Sequence, residues 1–230
     1  MFYSMLSALI KGINQLSDKA TRKYVWFSVF AALITFVILW SVVAWLLAQT
    51  SITQIGWLES VIDVLGGVAT LALTWFLFPA TVSAVIGLFL DQVAECVEKT
   101  HYPRLGPPKD QPISEAIVTS AKFLGILIVL NILLLPFLFL GPLFPIMFYL
   151  VNGYLLGREY FEMVGVRRLP AADVTSLRKA HGLSVLMTGV AIAFLLTIPV
   201  VNLLMPVVAT AAMVHLFEKW RPQGNAVAET

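Results

Sequence analysis

The chain has 230 residues, of which 59% are apolar and only 12% charged, with a formal net charge of +2 and a mean hydropathy of +0.88; no ordinary soluble domain has this composition. So small a net charge, with basic and acidic residues interleaved, argues against a nucleic-acid partner. The single cysteine, Cys96, excludes an internal disulfide framework and a thiolate metal cluster.

All fifteen lysines and arginines fall in four polar stretches, Met1–Lys23, Asp91–Lys122, Arg158–Lys179 and Glu218–Thr230. Basic loops stay cytoplasmic, so the four stretches share one face and each apolar segment between them must enter the bilayer and return. The opposite side keeps only Glu59 and Asp63 as charges.

In chain order, Phe2, Met5, Leu6, Leu9, Ile10, Ile13 and Leu16 recur at helical spacing opposite Ser4, Ser7, Lys11, Asn14 and Asp18. This predicts an amphipathic helix over residues 1–17 that lies in the membrane interface, its apolar side chains forming a stripe and not the solid core of a signal peptide. Tyr24–Leu47 is apolar over roughly 36 Å of helix, enough to cross a hydrocarbon core of about 30 Å, within a long helix over 20–50. A second long helix is predicted over 57–99. Its apolar part, Val64–Leu90, covers roughly 40 Å with a kink at Pro79. It runs on through Asp91, Glu95 and Glu98 until His101-Tyr102-Pro103 stops it.

The two remaining apolar blocks read differently. Phe123–Leu135 covers only about 20 Å before Pro136, Gly141, Pro142 and Pro145 interrupt it, and the return over Ile146–Leu156 is shorter. Both limbs join cation-bearing segments and the turn between them is uncharged, which predicts a partly penetrating hairpin over 112–165. The same grammar predicts a second hairpin over 171–220: Leu183–Ile198 descends, Pro199-Val200-Val201-Asn202 and Pro206 turn, and Val207–Leu216 climbs back. Backbone broken at membrane depth must be buried in protein or line a wet cavity. The alternative is four short spans in a locally thinned bilayer. Residues 221–230 read as a flexible tail. The fold class is thus an all-α integral membrane protein, a single membrane domain over 1–230.

The densest polar run is Asn152-Gly153-Tyr154-Leu155-Leu156-Gly157-Arg158-Glu159-Tyr160-Phe161-Glu162, with Arg167 and Arg168 after it. Arg158 and Glu162 form an i,i+4 pair, and Gly153 and Gly157 form a small ridge against which another helix can pack. Ionisable residues at the membrane are costly unless they serve a route or a partner, so Arg158, Glu159, Glu162 and Arg167, with Asn152 and Asn202, are candidate pore or gate residues. An interfacial ion-pair lattice is the alternative. A second run, Asp18-Lys19-Ala20-Thr21-Arg22-Lys23, puts two cations beside the N–H groups at a helix start. That is a recipe for holding an oxyanion, with Ala20, Thr21, Arg22 and Lys23 as candidates, or else an ordinary basic flank that fixes orientation.

No glycine-rich phosphate loop, H-E-x-x-H or G-x-S-x-G occurs, and His101, His181 and His215 lack metal-ligand spacing. No catalytic residue, metal site or cofactor is expected, and no nucleotide site for an ATP-driven pump.

The run from Tyr154 to Glu162 followed by Arg167-Arg168, and the proline-bracketed Pro199-Val200-Val201-Asn202-Leu203-Leu204-Met205-Pro206-Val207-Val208, resemble the motifs of the CysZ-type sulfate permeases, relatives of the etoposide-induced membrane proteins. The resemblance covers nearly the whole chain. It implies two transmembrane helices, two partly penetrating hairpins, a homo-oligomer in the bacterial inner (plasma) membrane, and passage of sulfate into the cytoplasm for cysteine synthesis. It also links the family's Gly-Leu-Arg-Arg at the first long helix to sulfate binding, which falls here on Arg22 and Lys23. This chain departs from that pattern: Ala20-Thr21 replaces Gly-Leu, and Lys23 lacks the planar fork of the second Arg. The reading is an energy-independent anion permease or channel whose partners are sulfate or a related oxyanion and the lipid bilayer. A non-transporting membrane scaffold or assembly protein of the same family is the alternative.

Overall fold

The computed structural model describes residues 2–49, 64–72, 78, 81–82, 85–109 and 113–222. All regular structure among them is helical, as the all-α membrane reading requires. The start of the second long helix with Glu59 and Asp63, the kink at Pro79 and tail residues 223–230 lie outside the described residues.

Helix α1 (Phe2–Gln15) ends in a short turn, and α2 (Lys19–Gln49) follows. On α2, Trp26, Phe27, Phe30, Ile34, Val37 and Ile38 are all more than half exposed. Along its apolar part three hydroxyls bond back within the helix, Ser28 to the Tyr24 carbonyl at 2.9 Å, Thr35 to Ala31 at 2.8 Å and Ser41 to Val37 at 2.8 Å. A helix that satisfies its own polar groups and turns apolar side chains outward suits lipid.

Residues 64–72 are helical, as are 81–82 and 85–87. The helix predicted to continue to residue 99 is broken by a turn at Leu88–Phe89, after which α3 (Leu90–His101) begins with Phe89 at its N-cap. Past the apolar run, α3 is a separate amphipathic helix that buries Val93, Ala94 and Val97.

Helix α4 (Ile113–Leu134), a 3-10 turn (Leu135–Leu140) and α5 (Leu143–Val166) double back on one another. Gly141 makes the reversal at φ +53°, a conformation in which a Cβ would be strained. Helices long and apolar enough to cross a membrane, among the described residues, are Lys19–Val42 and Ala121–Leu140. The second is the descending limb of the first hairpin, which the sequence reading ended at Leu135; Pro136 tightens the helix into 3-10 geometry without ending it. By length and composition that limb reaches across a bilayer.

Helix α6 (Ala171–Ala180) and α7 (Gly182–Leu196) meet at 88°. The four-residue helix α8 (Pro199–Asn202) then leads into α9 (Met205–Trp220). Every residue from Met205 to Phe217 is buried, so α9 is the central helix of the fold, enclosed by α1, α3 and α5. Its sequence is apolar almost all round, the composition of an enclosed helix. The amphipathic stripe of α1 is divided accordingly. Met5, Ala8, Leu9 and Gly12 face α9, whereas Leu6, Ile10 and Ile13 point outward. At Gly12 the contact is so close that a Cβ would lie 2.6 Å from the Val208 carbonyl oxygen.

Candidate functional site

The glycines of α5 decide how its charged end is buried. A Cβ on Gly157 would lie 2.6 Å from the carbonyl oxygen of Val185, and one on Gly153 would collide with Val190, so the ridge is the surface on which α7 rests. Gly189 on α7 answers Gly153 with its own missing Cβ. Two backbones pressed together in this way exclude water and lipid from the next turn, where Arg158 and Glu162 sit.

That next turn carries three side chains in one cluster. Arg158 Nε donates to both oxygens of Glu162, at 3.1 and 3.2 Å, and Arg178 Nε, from α6, donates to Glu162 Oε1 at 2.9 Å. Arg158 is 8% and Glu162 9% exposed, so the charges are largely out of water. The Phe123 ring lies 5.7 Å from the Arg158 guanidinium and adds a cation–π contact from the first hairpin. One carboxylate therefore holds two guanidinium groups, each through Nε, and elements from both hairpins converge on it.

Arg167 lies elsewhere. With Arg168 it reaches back to α3, where buried Glu98 accepts from Arg167 Nη2 at 3.2 Å and from Arg168 Nε at 3.3 Å. Arg167 Nη1 also donates to Asp91 at 3.2 Å, and Arg168 Nη1 to the Gly106 carbonyl at 2.6 Å. The Arg167 carbonyl in turn accepts from the Lys109 N–H at 2.9 Å. These bonds latch the end of α5 to α3 and to the loop after it.

At the start of α2 the four expected residues face different ways. Thr21 is fully buried, and Gln15 Nε2 donates to its Oγ1 at 3.0 Å. Asp18 Oδ2 accepts from the Thr21 N–H at 3.1 Å and from its hydroxyl at 3.2 Å. Asp18 thus caps the helix, and the Thr21 donor expected to face an oxyanion is already engaged by a carboxylate. Ala20, Arg22 and Lys23 are exposed beside it.

Of the remaining candidates, Glu159 is exposed on α5, and Asn152 Nδ2 donates to the Phe148 carbonyl at 2.8 Å within its own helix. Asn202 is half-buried at the end of α8. The structure thus brings Arg158 and Glu162 together, and leaves Arg167, Asn152 and Asn202 apart from them. Sequence reasoning missed Arg178, whose partner lies on another helix, and Glu98, whose partners lie in the turn after α5, at separations no local pattern reports. Asp18 did carry a signal: an Asp immediately before a helix is an N-cap.

Comparison with known families places this arrangement. The model of the family described as Sulfate transporter CysZ/Etoposide-induced protein 2.4 matches residues 8–206. The chain belongs to this family. The match includes the Asp18 cap, the latch and the Arg158–Glu162–Arg178 cluster, and it identifies the chain as a member of a transporter family. A comparison with curated proteins found no match.

Proposed function

We propose that this chain is an energy-independent anion permease, working as a homo-oligomer in the inner (plasma) membrane of a bacterial-type cell and passing sulfate into the cytoplasm for cysteine synthesis. The observation that carries the reading is the buried Arg158–Glu162–Arg178 cluster at the foot of both hairpins. Charges withdrawn from water in a membrane protein cost free energy that packing alone does not require, and they mark a route or a gate.

The chemistry of the cluster suits an anion. Glu162 pairs with two guanidinium groups and offsets the charge of one while repelling any incoming anion, so passage requires the carboxylate to yield one arginine to the permeant ion. Arginine is the suitable partner, because its planar fork forms two parallel hydrogen bonds with a tetrahedral oxyanion. Arg22 and Lys23, exposed at the start of α2 with the N–H of Ala20, form an outer station that concentrates the anion. Glu159, Asn152 and Asn202 supply further polar groups for a path between copies. The Arg167 latch holds the end of α5 in place.

The test is sulfate uptake by vesicles containing only this protein, with Glu162→Gln and Arg22→Ala beside the wild type. Uptake without nucleotide, reduced in both variants, supports the permease. An inert wild type favours the non-transporting scaffold.

A further inference from the structure

A cavity of about 440 Å³ opens beside the cluster. Lys122, Arg158 and Glu162 line one part of it, and Ala171, Ala172 and Thr175 of α6 another. We infer that this cavity is a binding site for a tetrahedral oxyanion, held by Lys122, the free end of Arg158 and the first turn of α6.

Three observations converge on it. Arg158 is fixed through Nε alone, so its two terminal nitrogens keep their donors, and among the described residues neither has a hydrogen-bond partner. The guanidinium is also immobilised, by Glu162 on one side and the Phe123 ring on the other, which reduces the entropy lost when it grips a ligand. Lys122 lines the same cavity with no ion-pair partner among the described residues and supplies a mobile point charge.

Helix α6 gives the third. Its N-cap is Pro170, which has no side-chain acceptor, so the first-turn N–H groups at Ala171 and Ala172 remain uncapped where they line the cavity. The positive end of the helix dipole faces the same space, and Thr175 adds a hydroxyl. Asp173, the acid of that turn, is exposed and is not part of the lining. Around the cavity and its cluster, Lys122, Arg158 and Arg178 face the one carboxylate of Glu162, so the cations are in excess. A dianionic tetrahedral ligand corrects that excess and meets donors on two sides.

Two sources provide such a ligand: a free sulfate or phosphate ion, or the phosphate of an anionic lipid headgroup, since Lys122 stands at the start of the apolar limb Ala121–Leu140. The inference rests on the permease reading only for its choice of sulfate as first probe. Lipid-depleted full-length protein in detergent is titrated calorimetrically with sodium sulfate and with sodium phosphate, for wild type, Lys122→Glu and Thr175→Val. Native mass spectrometry counts the anionic phospholipid retained by each.

Loss of one charge-assisted donor and reversal of its charge should weaken anion binding about tenfold or more in Lys122→Glu, and less in Thr175→Val. That result assigns a free anion. A silent titration with phosphatidylglycerol retained by wild type and lost from Lys122→Glu assigns a lipid headgroup, and equally supports the site. Unchanged anion affinity and unchanged lipid retention in a monodisperse Lys122→Glu protein overturn it. Flux separates the two claims: Lys122-dependent binding in a protein that moves no sulfate sinks the permease and leaves the site. Sulfate flux with Lys122-independent binding does the reverse.

Discussion

Glu162 and Arg178 stand sixteen residues apart on two helices, yet Arg178 Nε donates to Glu162 Oε1 at 2.9 Å, the same oxygen that accepts from Arg158 at 3.1 Å. Removing one partner from a buried ion network leaves the others uncompensated, at a cost of about 3–5 kcal/mol. Glu162→Gln should therefore lower the thermal midpoint and the yield of assembled protein. Adding Arg178→Gln to it should recover part of the loss. Strictly additive effects, measured as a double-mutant cycle on thermal stability, would show that the two side chains do not interact.

The crossing of α5 and α7 depends on absent side chains. At Gly157 a Cβ meets backbone, which cannot move aside as a flexible side chain does, so Gly157→Ala should cost at least about 1–3 kcal/mol. Gly125→Ala, on α4, meets nothing within 4 Å and serves as the control. Detergent-solubilised thermal melts compare the two, and equal midpoints would refute the close crossing.

Glu98 is the hub of the latch, and Asp91 is peripheral to it. Glu98→Gln leaves Arg167 and Arg168 sharing a neutral amide in a buried place, with an expected loss of about 3–5 kcal/mol. Asp91, whose side chain is 70% exposed, pairs with Arg167 in water, and Asp91→Asn should change stability by less than about 1 kcal/mol. Chemical denaturation of the two variants tests the ranking.

How much of this was legible in the sequence follows the range of each interaction. Helical periodicity and the placement of fifteen basic residues carry the all-α membrane class, because both are local or compositional signals. The Arg158–Glu162 pair is an i,i+4 contact and so is visible along one helix. Arg178 and Glu98 are not, since the first meets its partner only through the packing of α6 on α5, and the second only because α3 and α5 both pack on α9 and bring the turn after α5 within reach. The role of α9 was misplaced for a related reason: an apolar segment of that length fits a membrane-facing limb as well as a helix enclosed by protein, and only tertiary contacts tell them apart. The break at Leu88–Phe89 follows Gly87, a single punctuating residue that the long apolar run on both sides of it outweighed.

Asp18 is expected to do two opposing things. As N-cap of α2 it stabilises the helix start by about 1 kcal/mol, which Asp18→Ala removes. The same carboxylate occupies the Thr21 N–H, so its removal frees a donor beside Arg22 and Lys23 and takes away a negative charge. Sulfate affinity should rise in Asp18→Ala while stability falls, and it should fall in Arg22→Ala. Calorimetric titration of both variants distinguishes an anion station from a basic flank, which would show no change in either.

Burial raises the thiol pKa of Cys96 on α3, with the carboxylates of Asp18 and Glu95 acting in the same sense. The neutral thiol is a poor nucleophile. Cys96 should alkylate slowly at neutral pH and faster as pH rises, as followed by intact mass, and rapid labelling at pH 7 would contradict the packing around α3.

Sulfate flux through the purified protein bears on the central claim most directly. Radiolabelled sulfate should enter proteoliposomes containing only this chain until inside and outside concentrations match, without nucleotide or an imposed ion gradient, and Glu162→Gln should reduce the rate. Uptake no greater than in protein-free liposomes, from correctly inserted and monodisperse protein, would contradict the permease account.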